Sequence, residues 1–415
     1  MTSRIQNERR PQCYVPLVIS VASVFGMFTM APIQAAEWRI EPQLRAAGEI
    51  DDNAILTSRS DEDVGIAGSV IDASAKFAYA SPTTTFSITP RLSSRNYDLD
   101  EFDEDEQFLN YDFGHKTQSS SFRIRGGYAR ESVRRAERAD ADLDIEDPDD
   151  IPDDESGRVR LQGIREKLRV VPSWTYRASE ASSISIKMNY IDVQYDDVFA
   201  GLLNDYDDSR VELSYRRTWS PRNTAILTGT YRQYSVDGRD DVNSSGFKAG
   251  VERRLSETTR IRALAGVEDT ELAAGGSEAK WVADVSLTRR LQTITMLAQY
   301  RRTVSGGGSG NLSSRDSINL NFTRQLTERI SAGIGVRAYQ IDTLNDADVN
   351  FDDRNYVQLR SQFRWNLTRT WSLEANYRYT FSDRSRVGDN LGESANSNNV
   401  TIWLNYRPTP IIRSQ

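Results

Sequence analysis

Connections of two kinds alternate along this chain, and they join segments in which every second residue is apolar. The turn W-S-P-R-N-T around Pro221 is tight and carries no acid, whereas D-G-R-D-D-V-N-S-S around Asp240 is a polar, acid-bearing excursion. The longer, acidic connections are Asp51 to Asp63, Asp98 to Glu106, Glu137 to Gly157, Asp196 to Asp208 and Asp342 to Asp353. A soluble sandwich has no reason to sort its connections by length and charge onto two ends. A barrel crossing an outer membrane does, with short turns on the periplasmic side and longer loops outside.

The alternation has period two, which places successive side chains on opposite faces of a strand. Trp38, Ile40, Pro42, Leu44 and Ala46 share a face, as do Ile71, Ala73, Ala75, Phe77 and Tyr79. The rhythm is strictest late in the chain: Val357, Leu359, Phe363, Trp365 and Leu367 turn through T-R-T into Leu373, Ala375, Tyr377, Tyr379 and Phe381, and Val400, Ile402, Leu404 and Tyr406 close the series. The count is about 18 strands. The fold class is therefore all-β, an antiparallel up-and-down transmembrane β-barrel with both chain ends at the short-turn end.

The first residues carry Arg4, Arg9 and Arg10, then an apolar run from Tyr14 to about Met30, then A-P-I-Q-A-A-E-W. That is the layout of a secretory signal peptide, which divides the 415 residues into a signal at 1–36, a barrel at 37–407 and a C-terminal tail at 408–415. The expected destination is the outer membrane of a Gram-negative cell, reached after Sec-type cleavage. The only cysteine, Cys13, lies in the signal, so disulfides, thiolate metal sites and a cysteine nucleophile are excluded from the mature chain. Beyond it no apolar run approaches the length of a helical span, and mean hydropathy is negative, as barrel strands allow.

On the apolar face, Trp174 with Tyr176, Trp219, Trp281, Trp365 near Trp371, Tyr377 with Tyr379, and Tyr406 cluster near strand ends, as a bilayer interface selects. The opposite face is basic. Parity places on it Arg91, Arg95, Arg123, Arg125, Arg165, Arg169, Arg216, Arg232, Arg262, Arg301, Arg337, Arg360, Arg364 and Arg378, against fewer acids such as Asp72, Asp112, Glu212, Glu252, Glu268, Asp284 and Glu374. In a barrel of this size those arginines line a hydrated path that favours anions, unless they pair across strands and only stiffen the wall.

Other candidate sites are weaker. The acidic stretch Asp140 to Glu155 lacks the spacing of a calcium loop and reads as a solvated loop. S-G-G-G-S-G from Ser305 to Gly310 has no following lysine and reads as a flexible outer loop. His115 is the only histidine, and by parity it belongs with Tyr111 and Phe113 on the lipid side, so a barrel lipid hydrolase has little to build on. No catalytic residue, metal ligand or cofactor is expected. The net charge of −8, with arginines spread over strands, argues against nucleic acid.

In Arg165 to Tyr190 and Trp365 to Thr380, an aromatic strand, a short Ser/Thr/Glu turn and a second aromatic strand recur. There the chain resembles the outer-membrane barrel proteins found with exopolysaccharide and exosortase (PEP-CTERM) gene systems. The resemblance implies a pore for exported polysaccharide, with no catalytic residue to carry over. The expected partners are outer-membrane lipid and lipopolysaccharide, an anionic polysaccharide and the barrel assembly machinery. The chain departs from barrels that end on an aromatic residue, because R-P-T-P-I-I-R-S-Q follows Tyr406. The rival readings are a general diffusion porin or a structural outer-membrane protein.

Overall fold

Alternating side chains need two environments, and a closed sheet supplies them without leaving an edge. In the computed structural model the strands run β1 (Glu37–Asp51), β2 (Ile66–Ala80), β3 (Thr84–Tyr97), β4 (Glu104–Lys116), β5 (Ser120–Ser132), β6 (Ile164–Arg177), β7 (Ser182–Asp196), β8 (Tyr206–Ser220), β9 (Asn223–Val236), β10 (Val242–Arg254), β11 (Thr259–Glu271), β12 (Ser277–Arg290), β13 (Ile294–Gly306), β14 (Leu312–Gln325), β15 (Ile330–Thr343), β16 (Asp352–Asn366), β17 (Trp371–Arg386) and β18 (Glu393–Tyr406). Each pairs antiparallel with its chain neighbour, and β1 pairs with β18 from Leu44↔Tyr406 to Asp51↔Asn399, which closes an 18-stranded barrel. A short β19 (Ile411–Ser414), in the segment set apart as a tail, pairs with β1 over Glu37 to Ile40. A single helical turn, α1 (Val133–Ala136), follows β5. The structure describes residues 36–58, 63–138, 163–196, 203–237, 239–271, 276–308, 312–343, 352–386 and 393–414. Residues 1–35, nearly all of the segment expected to be a signal peptide, and the acidic stretch from Asp140 to Glu155 lie outside them.

At one end the connections within hairpins hold only two to four residues. Their Ser and Thr side chains build the turns: Ser81, Thr117, Ser179, Ser256, Thr327 and Thr368 each accept a bond from a backbone N–H two or three residues on. Such local acceptors stabilise a turn in place of a ladder bond.

The outward face is a belt of exposed apolar side chains, with Leu92, Leu213 and Trp281 each more than half exposed at 61%, 56% and 51%. An apolar surface that encircles the molecule is stable against lipid or detergent, not water. Aromatic pairs edge the belt at the short-turn end: Trp38 with Tyr79, Trp174 with Tyr176 and Trp371 with Tyr406. At the other end Tyr190, Tyr300 and Tyr377 donate their hydroxyls to Asp207, Asp316 and Asn398 at 2.7–2.8 Å, so each ring stays in the belt while its tip meets polar groups. His115 is exposed near Thr84, its Nδ1 3.0 Å from the Thr84 hydroxyl.

Candidate functional site

All fourteen sequence-chosen arginines lie on the face opposite the apolar belt, because register keeps strand partners on one side. What the structure adds is their partners. Arg95 is 2.8 Å from Glu49 and 3.3 Å from Glu106; Arg232 meets Asp208 through two nitrogens at 2.6 and 2.7 Å. Arg91 lies 2.8 Å from Asp72 and stacks on Phe108, and Arg165 is 3.5 Å from Glu137. Arg216 pairs with Glu252 at 2.6 Å, Arg301 with Asp284 at 3.5 Å and Arg364 with Glu374 at 3.0 Å; Arg123 pairs with Asp112. Arg169 donates to Asn189 at 3.0 Å and Arg378 comes within 3.9 Å of Asp51. Arg125, Arg262, Arg337 and Arg360 share the inner face and also have partners.

The pairing changes character along the barrel axis. Toward the long-loop end the pairs are buried: the side chains of Arg95, Arg165 and Arg232 are 4%, 2% and 3% exposed. Toward the short-turn end they are open, and Arg260, 3.5 Å from Glu252, is 55% exposed.

The buried half is narrowed by three inward segments. The connection after β1 turns in on itself: Asn53 accepts from the Thr57 amide and donates to the carbonyls of Thr57 and Asn396, and buried Leu56 packs with Tyr339 and Tyr356. Leu56 takes a φ of +49°, a left-handed conformation that costs a side-chain-bearing residue roughly 1 kcal/mol and is held by the contacts around it. Second, α1 and the two residues after it enter the barrel. Arg138 reaches Asp51 at 2.7 Å, Arg134 reaches Glu104 at 2.7 Å, and Arg135 reaches Glu106 at 2.8 Å. Burial works against the charge on Arg135, but the carboxylates of Glu106, Glu49 and Glu104 outweigh it and hold its pKa well above the usual guanidinium value. Glu137 accepts from the Tyr195 hydroxyl at 3.0 Å.

The third segment is the end of the β13–β14 hairpin. The β12–β13 ladder stops at Ala283↔Arg302, while β13 and β14 stay paired to Gly306↔Leu312. Freed from β12, the hairpin end leans inward onto β7–β9. Val304, whose parity would send it to lipid, is fully buried with Ile191, Val193, Tyr206, Tyr234 and Val236. Its carbonyl accepts from Arg232 at 2.7 Å and from Arg210 at 3.0 Å, and the Gly307 carbonyl accepts from Tyr234. A Cβ on Gly306 would overlap the Tyr234 ring, and one on Gly308 the Tyr195 hydroxyl, so glycine is what lets this backbone touch the wall. Ser309 and Gly310, the rest of S-G-G-G-S-G, lie outside the described residues.

Sequence reasoning missed the acids that neutralise the upper wall. From the sequence Asp51, Glu106 and Asp208 mark the bounds of acidic connections, and Glu49 falls beyond Ala46, the last residue assigned to the first strand. Each lies inside a strand on the inward face. Extending the period-two pattern through these acids was the signal available. Among the described residues no group of three or more His, Cys, Asp or Glu side chains is placed to hold a metal ion.

No family model matches the sequence, and no curated protein sequence does either. Among solved structures the chain is similar to OpdQ of Pseudomonas aeruginosa, with 7% identity and a TM-score of 0.45 over 90% of this chain and 98% of that one. It is similar too to OccAB4 of Acinetobacter baumannii, at 9% identity, TM-score 0.45 and coverage of 91% and 98%. OpdO of Pseudomonas aeruginosa gives 10% identity, TM-score 0.46 and coverage of 89% and 97%.

Proposed function

We propose that this protein is an outer-membrane pore whose basic inner wall passes anionic solutes, with an exported acidic polysaccharide as the substrate class. The observation that carries the reading is the division of one closed sheet into an apolar outer face and a charged inner one. The outer face matches acyl chains, and the inner face keeps water and ions next to guanidinium groups. The resemblance to barrel proteins of exopolysaccharide systems supplies the polysaccharide part of the reading. A second reading, a structural barrel with a shut lumen, is favoured by the three inward segments and the buried pairs that tie them to the wall.

Single-channel recording in planar bilayers separates the two. The expected result is a chloride-over-potassium preference that falls when Arg123, Arg125, Arg360 and Arg364 are together replaced by Gln. A selectivity that survives the four substitutions removes these arginines from the path, and a silent bilayer favours the structural barrel.

A further inference from the structure

The short-turn end of the inner wall carries a second concentration of positive charge, one that the fourteen arginines do not include. Three adjacent hairpin turns, joining β8 to β9, β10 to β11 and β12 to β13, enclose a cleft of about 880 Å³. Arg222, Arg254, Arg260 and Arg290 line it, and the one carboxylate in the lining is Glu257. All four arginines are exposed, unlike the buried pairs at the other end of the barrel. Arg254 and Arg260 are direct ladder partners. Like charges placed opposite each other destabilise a strand pair; Glu252, 3.5 Å from Arg260 and also paired with Arg216 at 2.6 Å, offsets part of that cost, and a bound anion would offset more.

We infer that this cleft binds an acidic glycan as it enters the barrel. Strands lie about 4.8 Å apart, so guanidinium groups drawn from the β8–β9 turn and from β10, β11 and β12 spread over roughly 15 Å. That span suits charges repeated along an extended chain better than one small anion, and several weak contacts on one chain multiply in affinity. Between the arginines lie hydroxyls of Ser256, Thr258, Thr259 and Thr288, which can bond the hydroxyl groups of a sugar while the forked guanidinium groups take its carboxylates. The binding stands on the cleft alone. The direction of travel, from the periplasm outward, rests on the reading above, which puts the short turns on that side.

The test is calorimetric titration of the detergent-purified full chain with tetragalacturonate, with neutral maltotetraose as control. The expected result is binding of the acidic sugar alone, weakened about tenfold or more in the R222Q/R254Q/R260Q/R290Q variant. Equal affinity in both proteins, or equal binding of the neutral sugar, overturns the inference. A variant that lost its heat-dependent gel shift would be replaced by the R254Q/R290Q pair, for which a partial loss is expected and an unchanged affinity again overturns it. In planar bilayers tetragalacturonate should block current from the short-turn side at lower concentration than from the other, and equal block from both sides defeats the entry role. A silent bilayer with intact, arginine-dependent binding would sink the pore reading and leave the cleft standing.

Discussion

Arg232 shows how much of the inner wall was legible residue by residue. Parity alone placed it inside, and the same argument placed the other thirteen. Its partners were not legible, because Asp208 had been assigned to a loop and the Val304 carbonyl lies 72 residues away on an inward-leaning hairpin. A pair this buried is costly to break from one side. Replacing Arg232 with Met strands Asp208 in a dry site and is expected to destabilise the barrel by about 3–5 kcal/mol. In the double variant R232M/D208L most of that loss should return, since an apolar pair can replace a buried ion pair at little cost. Unfolding followed by tryptophan fluorescence in detergent measures both. If the double variant is as unstable as the single one, it is the bond to Val304, not the charge on Asp208, that matters.

Among elements, the strands were almost wholly readable and the segments between them were not. Period-two alternation reports which face a residue occupies so long as the strand stays in the wall. It stops reporting where the β12–β13 ladder ends at Ala283↔Arg302, and from there Val304 turns from lipid to lumen. S-G-G-G-S-G looked like free loop because glycine serves equally for freedom and for close approach. Gly306 and Gly308 are used for the second. Leucine at both positions cannot be accommodated against Tyr234 and Tyr195, so the hairpin end should leave the wall. The expected outcome for G306L/G308L is a larger single-channel conductance with the thermal midpoint lowered only slightly, because the ladders of the barrel do not depend on these contacts. Unchanged conductance would mean that the hairpin end does not limit the opening.

At the scale of the whole molecule, the closed barrel follows from the strand count and the turn asymmetry, but the way it closes does not. The seam between β1 and β18 spans Leu44 to Asp51, leaving the first half of β1 without a neighbour from β18 on that side. β19 takes that place after the prolines at 408 and 410, pairing Ile40 with Ile411 and Glu37 with Ser414. The five residues after Pro410 carry too little alternation to read as a strand. Their role is visible only once β1 is seen to outrun β18. A bare strand edge is a template for association with another chain, so covering it matters for solubility in detergent as well as for the wall. Ending the chain after Arg407 should therefore still give a barrel, since the β1–β18 ladder from Leu44 onward is kept. It should open at a lower temperature, read as an earlier loss of the compact band on heated detergent gels, and form larger assemblies by light scattering. A truncated chain that keeps both the midpoint and the monomeric state would show that β1 protects its own edge and that β19 only lies beside it.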